Sequence, residues 1–366
     1  MTARELSQRV RAAIGETAAD PQAPFAFDAL AEEIFAFQFS HCEIYRRFCE
    51  RRGIRPGDTT TWKEIPALPT SAFKALDLAC GDAEQVFLTS GTTQGEERRG
   101  RHLMPDVALY RESAVAHFRR MVLPDGARPR IVGLLAGPAE TPQSSLMQMV
   151  EWLRIELGDD APEYLVDAAG FNAAAATSRL RILAAEARPL CLIGVRTVFT
   201  ALLDHLRAAG EEIEFPADTR IVETGGPKGG RTLSDNGLRR SAWDLLGVPG
   251  YYCLGEYGMT ELSSQYYDDV LERRFAGSNA KRRKLAPPWL RSVAVDPETL
   301  APLPDGEKGL LRHVDLANAL SVLAVQTEDL GIVTGPYLEL HGRQPGAEPR
   351  GCALALAHLL EGETRG

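Results

Sequence analysis

No stretch of this chain approaches the roughly 18–20 consecutive apolar residues that a membrane helix requires, so a spanning segment is not expected. The N-terminus, MTARELSQRVRAAIGETAAD, is amphipathic and lacks the apolar centre and cleavage site of a secretory signal. The expected location is the cytoplasm. Positive charge is in deficit: the formal net charge of −9 argues against broad affinity for nucleic acid or an anionic membrane surface. Cysteine is sparse and scattered. Cys42, Cys49, Cys80, Cys191, Cys253 and Cys352 form no C-x-x-C pair and no zinc spacing. In a cytosolic chain they are expected as free thiols, and each taken singly reads as a small buried residue. A P-loop, G-x-x-x-x-G-K-[ST], is missing, as are internal repeats and low-complexity segments. What remains is the composition of a soluble globular protein, 44% apolar and 25% charged. The 366 residues suffice for one large domain with subdomains or for two ordinary domains.

Residues 1–56 read as helices. AFDALAEEIFAFQFSHCEIYRRFCERRG places apolar residues three and four apart and stops at Gly53. IRPGDTTTWKEIPALPTSAFK then reads as an ordered connector, because Trp62, Ile65, Leu68 and Phe73 give it side chains to bury. From Val86 onward short apolar runs alternate with helical text. IVGLLAG, EYLVDA, LCLIGV and TRIVETGG read as strands; SLMQMVEWLRIEL, AAAATSRLRILAAEA, TVFTALLDHLRAAG and LRRSAWDLLG read as helices. Repeated β–α order predicts a largely parallel sheet flanked by helices, with ligands at the carboxyl ends of strands. After about residue 285 the text turns to strands and turns, with Pro-Asp-Gly at 304–306 as a strong turn signal. The expected class is therefore α/β, with mostly parallel sheets flanked by helices and a small β subdomain, antiparallel or barrel-like.

Four constellations carry possible chemistry. In FLTSGTTQGEERRGRH, Thr89, Ser90, Gly91, Thr92 and Thr93 form a hydroxyl- and glycine-rich turn after a strand-like VFL. Such a turn suits phosphate oxygens, because glycine lets backbone N–H groups approach an anion closely. By composition alone, an ordinary solvated surface turn is the commoner reading. In LGEYGMTELSSQYYDD, Tyr257 offers an aromatic face, Thr260 a hydroxyl and Glu261 a hard oxygen ligand suited to Mg2+. In ETGGPKGG, Gly225 and Gly226 would let the main chain approach a flat ligand, and a plain strand-to-helix turn is the alternative. In QTEDLGIVTG and HGRQPGAEPRGCAL, Asp329 could accept bonds from ribose hydroxyls and Arg343 could reach a phosphate or ribose oxygen. Read singly, each is more often one half of a loop salt bridge.

Taken together, T-S-G-T-T, T-G-G, Y-G-M-T-E, D-L-G and G-R follow the motif order of the adenylate-forming superfamily across residues 89–343. That superfamily holds acyl-CoA synthetases, luciferases and the adenylation domains of peptide synthetases. Within it, FAFQFSHCEIYRRFC, IPALPTSAFK, GRHLMPD, ETGGPKGG and YGMTELSSQYYD resemble the acyl-protein synthetase of the bacterial bioluminescence fatty-acid reductase complex. The resemblance implies ATP-dependent, Mg2+-assisted activation of a carboxylic acid, a fatty acid by family, as acyl-AMP. It implies transfer of the acyl group to a cysteine after an R-G pair, here Cys352, and delivery to a partner such as an acyl reductase. Residue by residue, Ser90, Thr92 and Thr93 would grip phosphates, with Thr89 and Gly91 in the same loop. Gly225, Gly226 and Tyr257 would form an adenine slot, and Asp329 a ribose clamp. Thr260 would bond the α-phosphate or the carboxylate, Glu261 would hold the metal, and Arg343 would act at the hinge.

Two departures stand out. Superfamily members carry a further C-terminal domain with a late catalytic lysine, whereas here residues 344–366 follow Arg343 and the last lysine is Lys308. The full C-terminal domain is therefore expected to be missing, and Cys352 is a candidate for the second half-reaction. Gln94 also pushes the glycine that usually follows the second threonine to position 95, which bears on the loop's shape. The expected organisation is a core over 1–340, made of a helical region (1–85), an α/β subdomain (86–284) and a small β subdomain (285–340). A short hinge and tail, 341–366, carries Cys352. Two other readings stay open: a ligase that hands acyl-AMP to CoA, a carrier protein or an amine without Cys352, and a non-catalytic nucleotide- or acyl-binding protein. Oligomerisation is possible.

Overall fold

The computed structural model describes residues 1–20, 23–89, 99–158, 162–225, 231–278 and 281–344. The chain divides into two compact units. The first comprises Met1–Ala116, Met259–Gln265 and the chain from Leu285 onward; the second comprises His117–Gly258 and Tyr266–Lys284.

The first unit begins with α1 (Ala3–Ala19), α2 (Phe27–His41) and α3 (Glu43–Arg51). A capping box starts α1: the Glu5 N–H donates to Thr2 Oγ1 at 3.2 Å and the Thr2 N–H donates to Glu5 Oε2 at 2.7 Å. Leu6, Val10 and Ile14, spaced by one turn each, face the core. The α2 helix is apolar around most of its circumference and is buried accordingly, through Phe27, Leu30, Ile34, Phe35 and Phe37. The connector after Gly53 is ordered as expected: Trp62, Ile65, Leu68 and Phe73 are all buried. It contains β1 (Leu68–Pro69) and α4 (Ala72–Ala75), and leads to a hairpin of β2 (Gln85–Leu88) and β3 (Arg101–Met104) and then α5 (Val107–Val122).

The second unit is the β–α text of the sequence made solid. It holds β4 (Arg130–Leu134), α6 (Ser145–Leu157), β5 (Val166–Asp167), β6 (Gly170–Phe171) and α7 (Ala173–Ala185). These are followed by β7 (Leu190–Val195), α8 (Arg196–Ala209), β8 (Arg220–Thr224), α9 (Asp235–Leu246), β9 (Cys253–Tyr257), β10 (Tyr266–Asp268) and α10 (Val270–Phe275). Strands β4, β7, β8 and β9 pair in parallel in that order, and β10 runs antiparallel to β9. Every residue of β8 is buried, and β7 is nearly so, because helices cover both faces of a parallel sheet. One expectation changes. EYLVDA contributes no full strand to this sheet; Tyr164 makes a single bridge to Gly133, and Val166–Asp167 instead form a two-residue hairpin with Gly170–Phe171.

After β11 (Lys284–Leu285), the first unit resumes with β12 (Leu290–Val295), β13 (Lys308–Asp315), β14 (Ala324–Thr334) and β15 (Tyr337–Arg343). These four pair antiparallel in sequence order, and β1 adds in parallel to β14 through Leu68↔Val325 and Pro69↔Gln326. The apolar faces of α1–α3, the connector and these strands form one cluster that includes Phe35, Tyr45, Phe48, Phe73, Trp289, Val314 and Val325. Among the described residues, Cys42, Cys49, Cys80, Cys191 and Cys253 are free and buried, as their scattered spacing suggested.

Candidate active site

In the first unit two of the expected site residues sit on a tight turn. The Leu262 N–H donates to the Met259 carbonyl at 3.1 Å, which puts Thr260 and Glu261 at its two corners. Side chains from two other segments bond this turn and the residues after it, and one from a third braces them. His102 on β3 lies 2.6 Å, through Nδ1, from the Thr260 carbonyl oxygen. Asn318 Nδ2 donates to the Glu261 carbonyl at 2.9 Å, and the Ser263 hydroxyl donates to Asn318 Oδ1 at 2.7 Å. Asp315 accepts from the Ser263 N–H at 2.9 Å and from the Ser264 hydroxyl at 2.7 Å. Gln38, the polar residue in the apolar α2, donates to the carbonyls of Asn318 and Ala319 and accepts from the Leu323 N–H. A buried network this completely paired is rigid.

Glu261 sits at the end of that scaffold. Its carboxyl is buried, and burial pushes its pKa up to about 7. The positive charges of Arg343 and Lys74 pull it down, and Asp329 pushes it up further. These four side chains therefore share one electrostatic neighbourhood. Asp329 and Arg343 face each other across β14 and β15 and form an ion pair, Arg343 Nε to Asp329 Oδ1 at 3.3 Å. The D-L-G spacing has a packing reason: a Cβ on Gly331 would lie 2.7 Å from the Glu339 carbonyl oxygen, at the register shift that presents Asp329. Thr89 closes β2; its N–H donates to the Gly100 carbonyl at 2.9 Å and its Oγ1 accepts from the Gly100 N–H at 2.8 Å.

In the second unit, β8 and β9 run parallel with Glu223 opposite Gly255, so Thr224, the last residue of β8, and Glu256, the last but one of β9, lie at the carboxyl edge of neighbouring strands. Gly225 follows with φ +77°, a conformation only glycine adopts readily. Tyr257 is half-buried beside Tyr266, with ring centroids 5.9 Å apart. Between them lies a group the sequence reading passed over. Glu256 is buried and accepts a hydrogen bond from the Thr224 hydroxyl. Burial pushes its pKa up to about 7, against the opposing pull of Thr224 and the Lys284 ammonium.

Because the folded value lies above the ordinary one, Glu256 contributes stability that is full below about pH 4.5 and is lost as pH rises through about 7. Glu256→Gln keeps an acceptor for Thr224 and removes the ionisation. We expect denaturant midpoints to be almost unchanged near pH 4 and the variant to be more stable by about 1–3 kcal/mol near pH 8. Equal shifts at both pH values would show that packing, and not charge burial, governs this site.

Thr260, Glu261, Asp329 and Arg343 thus lie in the first unit, with Glu261 in the field of Asp329 and Arg343; Thr89 lies in the same unit, and Gly225 and Tyr257 lie in the second. Ser90, Gly91, Thr92, Thr93, Gln94, Gly226 and Cys352 lie outside the described residues. Sequence reasoning missed His102, Asn318, Asp315, Lys74 and Glu256. His102 lies within GRHLMPD and Glu256 within LGEYGMTE, both noticed as whole motifs; HVDLANAL, which holds Asp315 and Asn318, carries no spacing that marks it.

Comparison with known proteins gives the family and the fold. Residues 16–361 match the family described as acyl-protein synthetase, LuxE. A long-chain-fatty-acid–luciferin-component ligase of Aliivibrio fischeri is 26% identical over 358 residues, covering 91% of this chain and 88% of the relative. Among solved structures, an open conformation of 2-hydroxyisobutyryl-CoA ligase in complex with 2-HIB-AMP and CoA matches 94% of this chain and 71% of its own, at 15% identity and a TM-score of 0.61. ATP-bound MatB from Rhodopseudomonas palustris matches at 18% identity and a TM-score of 0.47, and the chain spans about half of its length, 47%. The fold is that of the adenylate-forming ligases, α/β with a mostly parallel sheet flanked by helices, as expected. With a family match that runs almost end to end, the chain belongs to the acyl-protein synthetase family, LuxE.

Proposed function

We propose that this chain activates a fatty acid with ATP as acyl-AMP and then transfers the acyl group to Cys352, as a thioester for an acceptor such as an acyl reductase. The observation that carries the activation step is the buried Glu261 on its clamped turn, beside Lys74, Asp329 and Arg343. The name of the Aliivibrio fischeri relative, a long-chain-fatty-acid ligase, supports the choice of acid.

In the first step a carboxylate oxygen of the acid attacks the α-phosphorus of ATP, and the bond to pyrophosphate breaks. The protein's share is alignment and charge compensation. Thr89, Ser90, Gly91, Thr92 and Thr93 would grip the phosphates, and Thr260 would orient the α-phosphate or the attacking carboxylate. Gly225, Gly226 and Tyr257 would take the adenine and Asp329 the ribose hydroxyls, with Arg343 held against Asp329. Glu261 fits a hard cation, because a carboxyl that burial drives towards its neutral form gains most from a positive partner. Among the described residues no group of three or more His, Cys, Asp or Glu side chains gathers into a cage. One carboxylate plus substrate phosphates is a common setting for Mg2+, which would offset triphosphate charge when bound.

In the second step the Cys352 thiolate attacks the acyl carbon, a C–S bond forms, and AMP leaves with the bonding pair. The described cysteines are poor candidates for this role: burial pushes Cys49, Cys191 and Cys253 up to about 12, and raises Cys42 and Cys80 as well. An ordinary exposed thiol is about 3% thiolate at pH 7, enough for attack on a mixed anhydride.

The test is pyrophosphate release with ATP, Mg2+ and a panel of acids of graded chain length. Release that depends on a long-chain acid is expected; none with any acid overturns the activation reading. Asp329→Ala is expected to raise KM for ATP by about 10- to 100-fold with kcat little changed, the effect of losing charged hydrogen bonds of about 1.5–3 kcal/mol. An unchanged KM would remove Asp329 from the ribose site.

A further inference from the structure

We propose that His102 is a positioning residue that fixes the Thr260–Glu261 turn, by a hydrogen bond from its Nδ1–H to the Thr260 carbonyl, against the strand that follows the 90–98 segment. The assignment rests on the reading that Thr260 and Glu261 serve acid activation. Its ground is geometric. The His102 ring is fully buried, with Nδ1 2.6 Å from Thr260 O and Nε2 2.8 Å from Ser321 Oγ. A carbonyl oxygen only accepts, so Nδ1 carries the hydrogen, and Nε2 accepts from the Ser321 hydroxyl. Both ring nitrogens are used, and the Phe73 ring meets the imidazole edge-on, with centroids 5.7 Å apart at 87°. Burial lowers the His102 pKa to about 4, so the neutral, singly protonated ring persists at working pH.

This bond joins two motifs that are 158 residues apart in sequence. His102 lies on β3, two residues beyond Gly100, which exchanges two hydrogen bonds with Thr89. Thr260 is the first corner of the turn, and the buried Glu261 is the second. A displacement of about 1 Å at a reacting centre lowers rate by about 10²-fold, so a tie of this kind sets kcat more than affinity.

Two substitutions separate the ring's two bonds. The amide nitrogen of His102→Asn falls near the position of Nδ1 and keeps the donor to Thr260; the amide of His102→Gln falls near Nε2 and keeps the link to Ser321. Each leaves one buried partner unpaired, so both are expected to lose comparable thermal stability. For acid-dependent pyrophosphate release, H102Q is expected to lose about 10²-fold in kcat with KM for ATP within about threefold, while H102N stays within about tenfold of the parent. Ser321→Ala, which removes only the other bond, is expected to keep kcat. Amide exchange across residues 258–264 should rise in H102Q and not in H102N, whatever the activity. Equal loss of kcat and equal exchange in both His102 variants, or a loss in S321A matching that of H102Q, overturns the assignment. Parent protein run alongside separates the causes: if the parent releases no pyrophosphate, the activation reading fails and takes the catalytic role of His102 with it, and the exchange result decides the positioning alone.

Discussion

Replacing Cys352 with serine is expected to abolish covalent acylation of the chain while leaving acid-dependent pyrophosphate release in place. Incubated with ATP, Mg2+ and a pool of carboxylic acids, the parent protein should gain the mass of one acyl group, and that mass names the acid. The expected effect is close to all-or-none. A thiol near pKa 8.5 is about 3% ionised at pH 7, whereas an unactivated serine hydroxyl is ionised to a negligible extent and attacks the mixed anhydride far more slowly. The described cysteines do not supply a substitute, since each is buried and held in its thiol form. A mass gain that survives Cys352→Ser would sink the cysteine relay. Pyrophosphate release with no mass gain in either protein would point to a ligase that hands its adenylate to CoA, a carrier protein or an amine.

Glu261→Gln should lower kcat for pyrophosphate release by about 10²–10³-fold, the range found when one preorganised electrostatic contact to a developing charge is removed. The amide has nearly the same shape and leaves the backbone bonds of Asn318 and His102 in place. Loss of rate without loss of fold is therefore the expected pattern. Removal of a buried ionisable group should also make the variant as stable as the parent or more so at alkaline pH, because burial opposes ionisation of Glu261 in the folded chain. The two readouts move in opposite directions, which a general packing defect would not produce. The dependence of rate on Mg2+ concentration should shift upward as well. An unchanged Mg2+ dependence and kcat would remove Glu261 from the metal site.

Much of the scaffold was legible before any coordinates. SLMQMVEWLRIEL is α6 from its first residue to its last, and LCLIGV is β7, because a three-to-four spacing and an unbroken apolar run each admit one regular structure here. EYLVDA misled, since a short apolar run does not say which neighbour it will find; only Tyr164 bridges to β4 and the rest turns back on itself. Asp329 and Arg343 were noticed separately, each as half of some salt bridge. The β14–β15 register makes them partners of each other, and no one-dimensional pattern predicts that pairing.

The sequence by itself determined the class of the fold and the family, and it marked the small set of residues proposed to touch the reactants. These are written in local patterns: apolar periodicity, glycines where backbone must turn or approach, and hydroxyls and acids grouped within a few positions. Tertiary structure alone decided what holds those residues still and how they are charged. His102, Asp315 and Asn318 reach the Thr260–Ser264 turn from segments distant in the chain, and hydrogen bonds of that kind follow spatial distance, not sequence separation. The proton affinities of Glu256 and Glu261 are likewise set by burial, a property of the packed chain that no residue carries in its own chemistry.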